Sequence, residues 1–109
     1  MDDMLVVTAN DVPGYKIDET YGEVFGLIVR SRDVVSNLFA GLRTIFGGEI
    51  KEYTTLLSDS REHALARLRE AAAAKGANAV VAMRFDSGDI GGTMNEVAAY
   101  GTAVKISKV

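Results

Sequence analysis

Apolar residues near the N-terminus fall into two runs that are typical of β-strands. The first run covers Met4 to Val7, and the second, Tyr21 to Arg30, has apolar side chains at both odd and even positions. Pro13 and Gly14 lie between the runs and predict a turn. Because the second run is apolar on both sides, we expect both faces of that strand to be covered.

From Val34 onward, apolar residues recur every three or four positions, which predicts an amphipathic helix. Asp33 is the predicted N-cap of this helix. Gly47 and Gly48 predict its end, since glycine adopts the left-handed conformation that closes a helix without steric cost.

A second apolar stripe runs from Glu49 to Lys75 and is interrupted at Ser60 and Arg61. Two interpretations follow: one long helix, or a new helix that starts near Asp59. We favour the single helix, and Gly76 predicts its C-terminal end.

Two further strands are predicted at the C-terminal end, from Ala79 to Phe85 and from Glu96 to Val109. Ser87-Gly88-Asp89 and Gly91-Gly92 predict the connection between them. The resulting order is β-β-α-α-β-β. It predicts an α+β fold with helices on one face of a mainly antiparallel sheet.

A chain of 109 residues buries only about two thirds of the surface that its unfolded state exposes, so a partner would add stability. The last predicted strand carries small residues on both faces: Ala98, Ala99, Gly101 and Ala103. One face packs against the helices, so the other is available to another layer. We therefore expect a homo-oligomer that assembles through its strands.

Composition and charge are those of one globular domain over residues 1–109, with 48% hydrophobic and 25% charged residues. The net charge of −3 comes from interspersed charges without a basic stripe, which argues against nucleic acid as a partner. No apolar segment is long enough to cross a membrane, and no basic, apolar leader opens the sequence. We expect no membrane insertion and a cytoplasmic location.

The residues that could carry chemistry are few. The sequence has no cysteine and one histidine, His63, so thiolate metal sites are excluded and no catalytic set is predicted. On a continuous helix, Glu52, Asp59 and His63 share one face and could meet one cation. These three residues are the candidate metal ligands; no other cofactor is predicted.

Arginines offer a different possibility. Arg30, Arg32 and Arg43 could form a pocket for a small anion near the turn at Gly47. The sequence alone leaves the cation and the anion as open alternatives.

Several segments together resemble one family over nearly the whole chain. They are Gly14-Tyr15-Lys16-Ile17, Tyr21-Gly22-Glu23-Val24-Phe25-Gly26, Phe39-Ala40-Gly41-Leu42-Arg43 with Gly47-Gly48, Tyr53 and Leu57, Gly76-Ala77-Asn78-Ala79-Val80-Val81, and Gly101-Thr102-Ala103-Val104. In this order and spacing they resemble the YbjQ-like family of small bacterial and archaeal proteins, which are labelled as heavy-metal-binding.

The resemblance implies a fold related to dodecin-type subunits that assembles into a ring, a pentamer or a pair of pentamers. It implies no established function and no catalytic residues. Ala82 departs from the family pattern, which often has glycine there, and we expect this difference to matter little.

Three hypotheses about function follow. The first is an oligomeric protein that binds a small ligand, a metal ion or a small anion, where subunits meet. The second is an enzyme whose site forms between subunits from residues such as Arg43, Glu52, Tyr53 and His63. The third is a ring-shaped scaffold for a protein partner. Because a fold does not fix a function, the choice must come from the site.

Overall fold

The structure, a computed structural model, describes residues 4–31, 51–90 and 94–109, without the side chains of Ser31, residues 51–56, Asp89 and Ile90. The elements are β1 (Leu5–Val6), β2 (Tyr15–Ser31), α1 (Lys51–Ala74), β3 (Ala79–Ile90) and β4 (Met94–Lys108). The first predicted helix, with its cap at Asp33 and its end at Gly47-Gly48, lies outside the described residues, as do Arg32, Arg43 and the Gly91-Gly92 connection.

The four described strands form one sheet in the order β1-β3-β4-β2. Strand β1 pairs with β3 in parallel, whereas β3 with β4 and β4 with β2 pair antiparallel. The prediction of an α+β fold with a mainly antiparallel sheet is confirmed. Of the described strands, β1 and β2 lie at the two edges.

The strands are longer than their apolar patterns predict. Strand β2 begins at Tyr15 rather than Tyr21, and β3 continues to Ile90, so Ser87-Gly88-Asp89 belongs to a strand and not to a connection. Strand β4 pairs with β2 from Tyr15 to Ser31 and with β3 out to Ile90. The predicted limits were wrong because ladder hydrogen bonds to β4 hold polar residues extended despite their low strand preference.

Helix α1 is continuous from Lys51 to Ala74, which confirms the single-helix interpretation and places Asp59 within it. The predicted end at Gly76 is also confirmed. Gly76 has φ of 89°, its N–H donates to the Ala73 carbonyl at 3.0 Å, and the Ala77 N–H donates to the Ala72 carbonyl at 3.1 Å. This pair of hydrogen bonds is a Schellman motif, which satisfies the last carbonyls of the helix.

The helix lies very close to β2. Its fully buried residues Ala64, Leu68 and Ala72 recur every four positions and face the sheet, in agreement with the predicted stripe. At the crossing point stands Gly26, where an added Cβ would overlap the Ala64 carbonyl oxygen and the Leu68 backbone nitrogen. The close packing of this face therefore depends on a residue without a side chain.

Within the described residues, the opposite face of the sheet is covered at one end, by the segment that follows β1. Val7 and Val12 of this segment pack on a second buried cluster, which consists of Ala79, Val81, Val104 and Ile106. The segment also accepts two backbone hydrogen bonds from a bulge in β3: the Ala82 N–H donates to the Ala9 carbonyl at 2.8 Å, and the Met83 N–H donates to the Val7 carbonyl at 3.0 Å. This bulge joins the segment to the sheet.

Ala82 occupies a strained position within that bulge. Its φ is 56°, in the left-handed region that costs about 1–2 kcal/mol for a residue with a Cβ. The backbone at this position therefore favours glycine, which argues against the expectation that alanine matters little here; that expectation stays a prediction.

At its other end, the same face carries exposed apolar side chains. They lie on neighbouring strands and are Phe25, Leu27, Val29, Met94 and Tyr100, which we call the open face. The Phe25 and Tyr100 rings lie across the β2–β4 pair with their centroids 6.3 Å apart. The prediction that β2 is covered on both faces is not met within the described part of one chain.

Candidate functional site

The polar residues that converge most closely lie where α1 crosses the far end of β2. The half-buried Arg30 donates from Nε to the Oγ of Ser60 at 2.8 Å, and its Nη2 lies 3.4 Å from Nδ1 of His63. Arg30 points toward the helix because even-numbered β2 residues face it. We call Arg30, Ser60, His63 and the neighbouring Arg67 the Arg30 cluster.

Arg67 lies one helical turn after His63 and reaches the edge of β2 that pairs with no other described strand. Its Nη1 donates to the Leu27 carbonyl at 2.7 Å. Farther along the same edge, the Nζ of Lys75 lies 3.3 Å from the carbonyl oxygens of both Tyr21 and Glu23. A row of cations from α1 thus binds carbonyls of an edge strand whose other side pairs with β4.

A groove lies on the other side of α1, toward β3. It has a volume of about 360 Å³ and is lined by Leu57, Ser58, Arg61, Glu62, Leu65 and Phe85. The Arg61 guanidinium carbon lies 5.5 Å from the centre of the Phe85 ring, a cation–π contact. Arg61 is therefore held against the sheet and is separate from the Arg30 cluster.

One shifted pKa belongs to Tyr21, on β2. Partial burial, followed by the negative charge of Glu19 and a hydrogen bond to that carboxylate, raises the pKa of the Tyr21 hydroxyl above its usual value of 10.0. The hydroxyl therefore stays protonated and serves as a donor to Glu19 at neutral pH. This pair lies on β2, away from the Arg30 cluster in sequence.

Comparison with protein families gives one match that spans nearly the whole chain. Residues 4–107 match the YbjQ family, which is described as "Putative heavy-metal-binding". The chain belongs to the YbjQ family. The resemblance noted from the sequence segments is confirmed.

Two relatives are similar over most of their length, and their names state no activity. A "UPF0145 protein" of Acidothermus cellulolyticus is 57% identical over 106 residues, which cover 97% of this chain and 98% of the relative. A "UPF0145 protein" of Picrophilus torridus is 59% identical over 104 residues, covering 95% and 88%. These relatives support the family and leave the function open.

A known crystal structure shares the fold. It is a protein of unknown function from Pediococcus pentosaceus, with a TM-score of 0.57 over 95% of this chain and 98% of that chain. The identity is 14%, so the similarity concerns the fold alone. In the described part of the YbjQ chain, no helix has both the length and the apolar character needed to cross a bilayer.

The described residues of one chain do not fit a heavy-metal ion. They contain no group of three or more His, Asp or Glu side chains close enough to share a metal, and the sequence has no cysteine. Asp59 and His63 are exposed on α1, and the side chain of Glu52 lies outside the described residues. The three candidate metal ligands stay a prediction.

The neighbour of His63 also argues against a metal on this ring within one subunit. A guanidinium can only donate, so a hydrogen bond across the 3.4 Å contact requires Nδ1 of His63 as the acceptor, with the ring proton of a neutral imidazole on Nε2. A metal ion on Nε2 would move that proton to Nδ1, where it would face the donors of Arg30. Metal binding by His63 thus requires loss of the Arg30 contact.

Two members of the cluster were missed by the sequence reasoning. Ser60 was noted only as an interruption of the apolar stripe, yet it is 3% exposed and its hydroxyl accepts from Arg30. Arg67 lies one turn beyond His63 on the predicted helix and would oppose a cation there, but it was not predicted as a ligand, and its contact is with a carbonyl forty positions earlier in the chain. Arg30 was a candidate for an anion pocket, but its predicted neighbours Arg32 and Arg43 lie outside the described residues.

Proposed function

We propose that this YbjQ-family chain is a cytoplasmic, homo-oligomeric protein that binds a small ligand at or near the contacts between subunits. The observation that carries the proposal is the open face, where five large apolar side chains are exposed on two paired strands. Contiguous apolar surface on a small protein marks an interaction site. The occupant we propose is a second copy of the same chain.

The arrangement of the strands supports self-association. The open face lies on β2 and β4, the longest strands, and Phe25 and Leu27 are 59% and 43% exposed. A chain of this length has few other means to bury apolar area. Cyclic assembly repeats one contact between identical subunits. A ring of five chains, or a pair of such rings, would therefore bury the open face of every subunit.

A binding function agrees with the site better than catalysis does. The Arg30 cluster offers donors and positive charge, whereas the described residues bring no nucleophile and general base together. A metal ion, as the family description suggests, would need ligands beyond the described residues of one chain. A small anion could be met by residues of a single one.

The first test is native mass spectrometry of the untagged protein, purified without chelator, with elemental analysis of the same sample. We expect a closed oligomer. A stoichiometric metal would direct mutagenesis to Glu52, Asp59 and His63, and a metal-free oligomer would point to an anion or an organic ligand. A monomer at micromolar concentration would refute the assembly proposal.

A matched pair of substitutions locates the interface. Leu27→Glu places a charge on the open face, and Leu57→Glu places the same charge on α1 at nearly equal exposure, 43% against 45%. We expect Leu27→Glu to dissociate the oligomer and Leu57→Glu to leave it intact, because a buried unpaired charge is costly. Equal behaviour of the two variants would exclude the open face as the interface.

A further inference from the structure

We infer that the Arg30 cluster is a binding site for a phosphate-type oxyanion, with Arg30, His63 and Arg67 as the residues that contact it. This inference deepens the proposed function, on which it rests for the general role of small-ligand binding. It adds the chemical class of the ligand and the side chains that hold it.

Within the described chain, the positive charge of the Arg30 cluster is not compensated by a carboxylate. Arg30 is half-buried, yet its hydrogen bonds go to the neutral Ser60 hydroxyl and His63 ring, and Arg67 binds a neutral carbonyl. Among the described residues, no carboxylate forms an ion pair with either guanidinium. A partly desolvated cation without a counter-charge attracts an anion more strongly than a fully solvated one does.

The Arg30 side chain is preorganised for binding. The Nε of Arg30 is anchored at 2.8 Å to Ser60, which is itself 3% exposed and fixed in the interior stripe of α1. An anchored guanidinium has already lost the side-chain entropy that a flexible surface arginine loses on binding. Ser60 therefore acts as a positioning residue, and the remaining N–H donors of Arg30 form a preset fork.

The donors of the Arg30 cluster favour one kind of anion. When Nδ1 of His63 accepts from Arg30 across their 3.4 Å contact, Nε2 carries the ring proton and is available as a donor. Arg67, at the i+4 position, lies beside His63 on the helix surface and adds a second guanidinium. The donors thus belong to three different side chains, two guanidiniums and one imidazole. A phosphate, whose oxygens point in several directions, can accept from such a set better than a planar carboxylate can.

The opposing charges on α1 do not cancel the site. Asp59 and Glu70 share the outer surface near His63 and are exposed to solvent. Water screens exposed carboxylates, so their effect on an anion at the half-buried Arg30 is smaller than that of a directly bonded guanidinium. They limit the affinity but leave the donor fork of Arg30 free of ion pairs within the described chain.

The test is equilibrium dialysis of the untagged full-length protein against radiolabelled inorganic phosphate, with ionic strength held constant by sodium chloride. We expect saturable binding that approaches one phosphate per chain. The absence of saturable binding at millimolar phosphate would overturn the inference. Competition by phenyl phosphate then separates the sources: stronger displacement than by phosphate itself indicates a phosphate ester, and equal or weaker displacement indicates the free ion.

Variants tie the binding to the cluster. We expect Arg30→Gln to weaken phosphate binding by about tenfold or more, because it removes charge and fork together. Arg30→Lys keeps the positive charge but loses the forked donors of the guanidinium, so its affinity for phosphate should lie between those of the wild type and Arg30→Gln. The control is Arg61→Gln, an arginine on the other side of the same helix, which should stay within about twofold of the wild type. Equal losses at Arg30 and Arg61 would show a diffuse charge effect and refute the site.

A second variant covers the case in which Arg30→Gln impairs folding. Arg67 is exposed, so Arg67→Gln should fold normally and still weaken binding several-fold. Native mass spectra of the same samples separate the two proposals. An intact oligomer that binds no phosphate refutes the anion site alone, and a monomer that binds phosphate refutes the assembly alone.

Discussion

The two faces of the β2–β4 pair are built from alternate residues of the same strands, yet they differ sharply in burial. On the helix side, Val24 and Ile28 are 3% and 7% exposed, and Ala99 is fully buried. On the open face, Phe25 is 59% exposed although it has the larger side chain. Local strand preference cannot explain this difference, because each pair of neighbours belongs to the same strand.

The difference teaches that apolar character and burial have separate causes in this chain. The helix side is buried because small residues allow α1 to approach, and Gly26 permits the closest contact. The open face has no element of the described chain above it and keeps large side chains instead. Large apolar residues without a cover are the pattern expected for an interface between molecules.

The largest expected difference in stability comes from truncating one leucine at each face of the β2–β4 pair. Leu68→Ala should lower the free energy of unfolding by about 2–5 kcal/mol, since Leu68 is fully buried and leaves a cavity. Leu27→Ala should cost about 1 kcal/mol or less at low protein concentration. Urea unfolding followed by circular dichroism measures both.

The dependence on concentration sharpens this comparison. If the open face is a subunit contact, the cost of Leu27→Ala rises with protein concentration, because assembly stabilises the wild type by mass action. The cost of Leu68→Ala should not rise with protein concentration. A cost of Leu27→Ala equal to that of Leu68→Ala at every concentration would break the contrast between the faces.

A smaller loss of stability is expected when a methyl group is added to β2 beneath helix α1. Gly26→Ala should destabilise the fold by about 1–3 kcal/mol, because the new Cβ meets the backbone of α1 at Ala64 and Leu68. The control is Gly88→Ala in β3, where an added Cβ has no neighbour within 4 Å. Thermal unfolding of the two variants should separate them clearly, and similar melting temperatures would show that the helix contact is not tight.

The smallest expected effect is a gain in stability, at the end of the sheet that the segment after β1 covers. Ala82→Gly should raise the free energy of unfolding by about 0.5–1 kcal/mol, since it relieves the left-handed strain while it adds entropy to the unfolded chain. Ala66→Gly, at an exposed position within α1, should instead lower the free energy of unfolding by about 1 kcal/mol, because glycine has a lower helix propensity than alanine. Losses at both positions would mean that the bulge at Ala82 is not strained.

The candidate site was only partly predictable from the sequence. Arg30 stood out as a possible anion ligand and His63 as the single imidazole, but nothing in their spacing paired them across thirty-three positions. The break at Ser60 was a real signal. It was interpreted as a possible helix start, because a polar residue in an apolar stripe has a meaning only when its partner on another element is known.

The sequence by itself determined the elements whose causes are local. The spacing of apolar residues defined α1, Gly76 defined its end, and Pro13 with Gly14 defined a turn. Tertiary structure alone decided the length of β2, the strain at Ala82 and the partners of Arg30. Those features depend on hydrogen bonds and contacts between distant segments, and a pattern read along one segment carries no information on which other segment will lie against it.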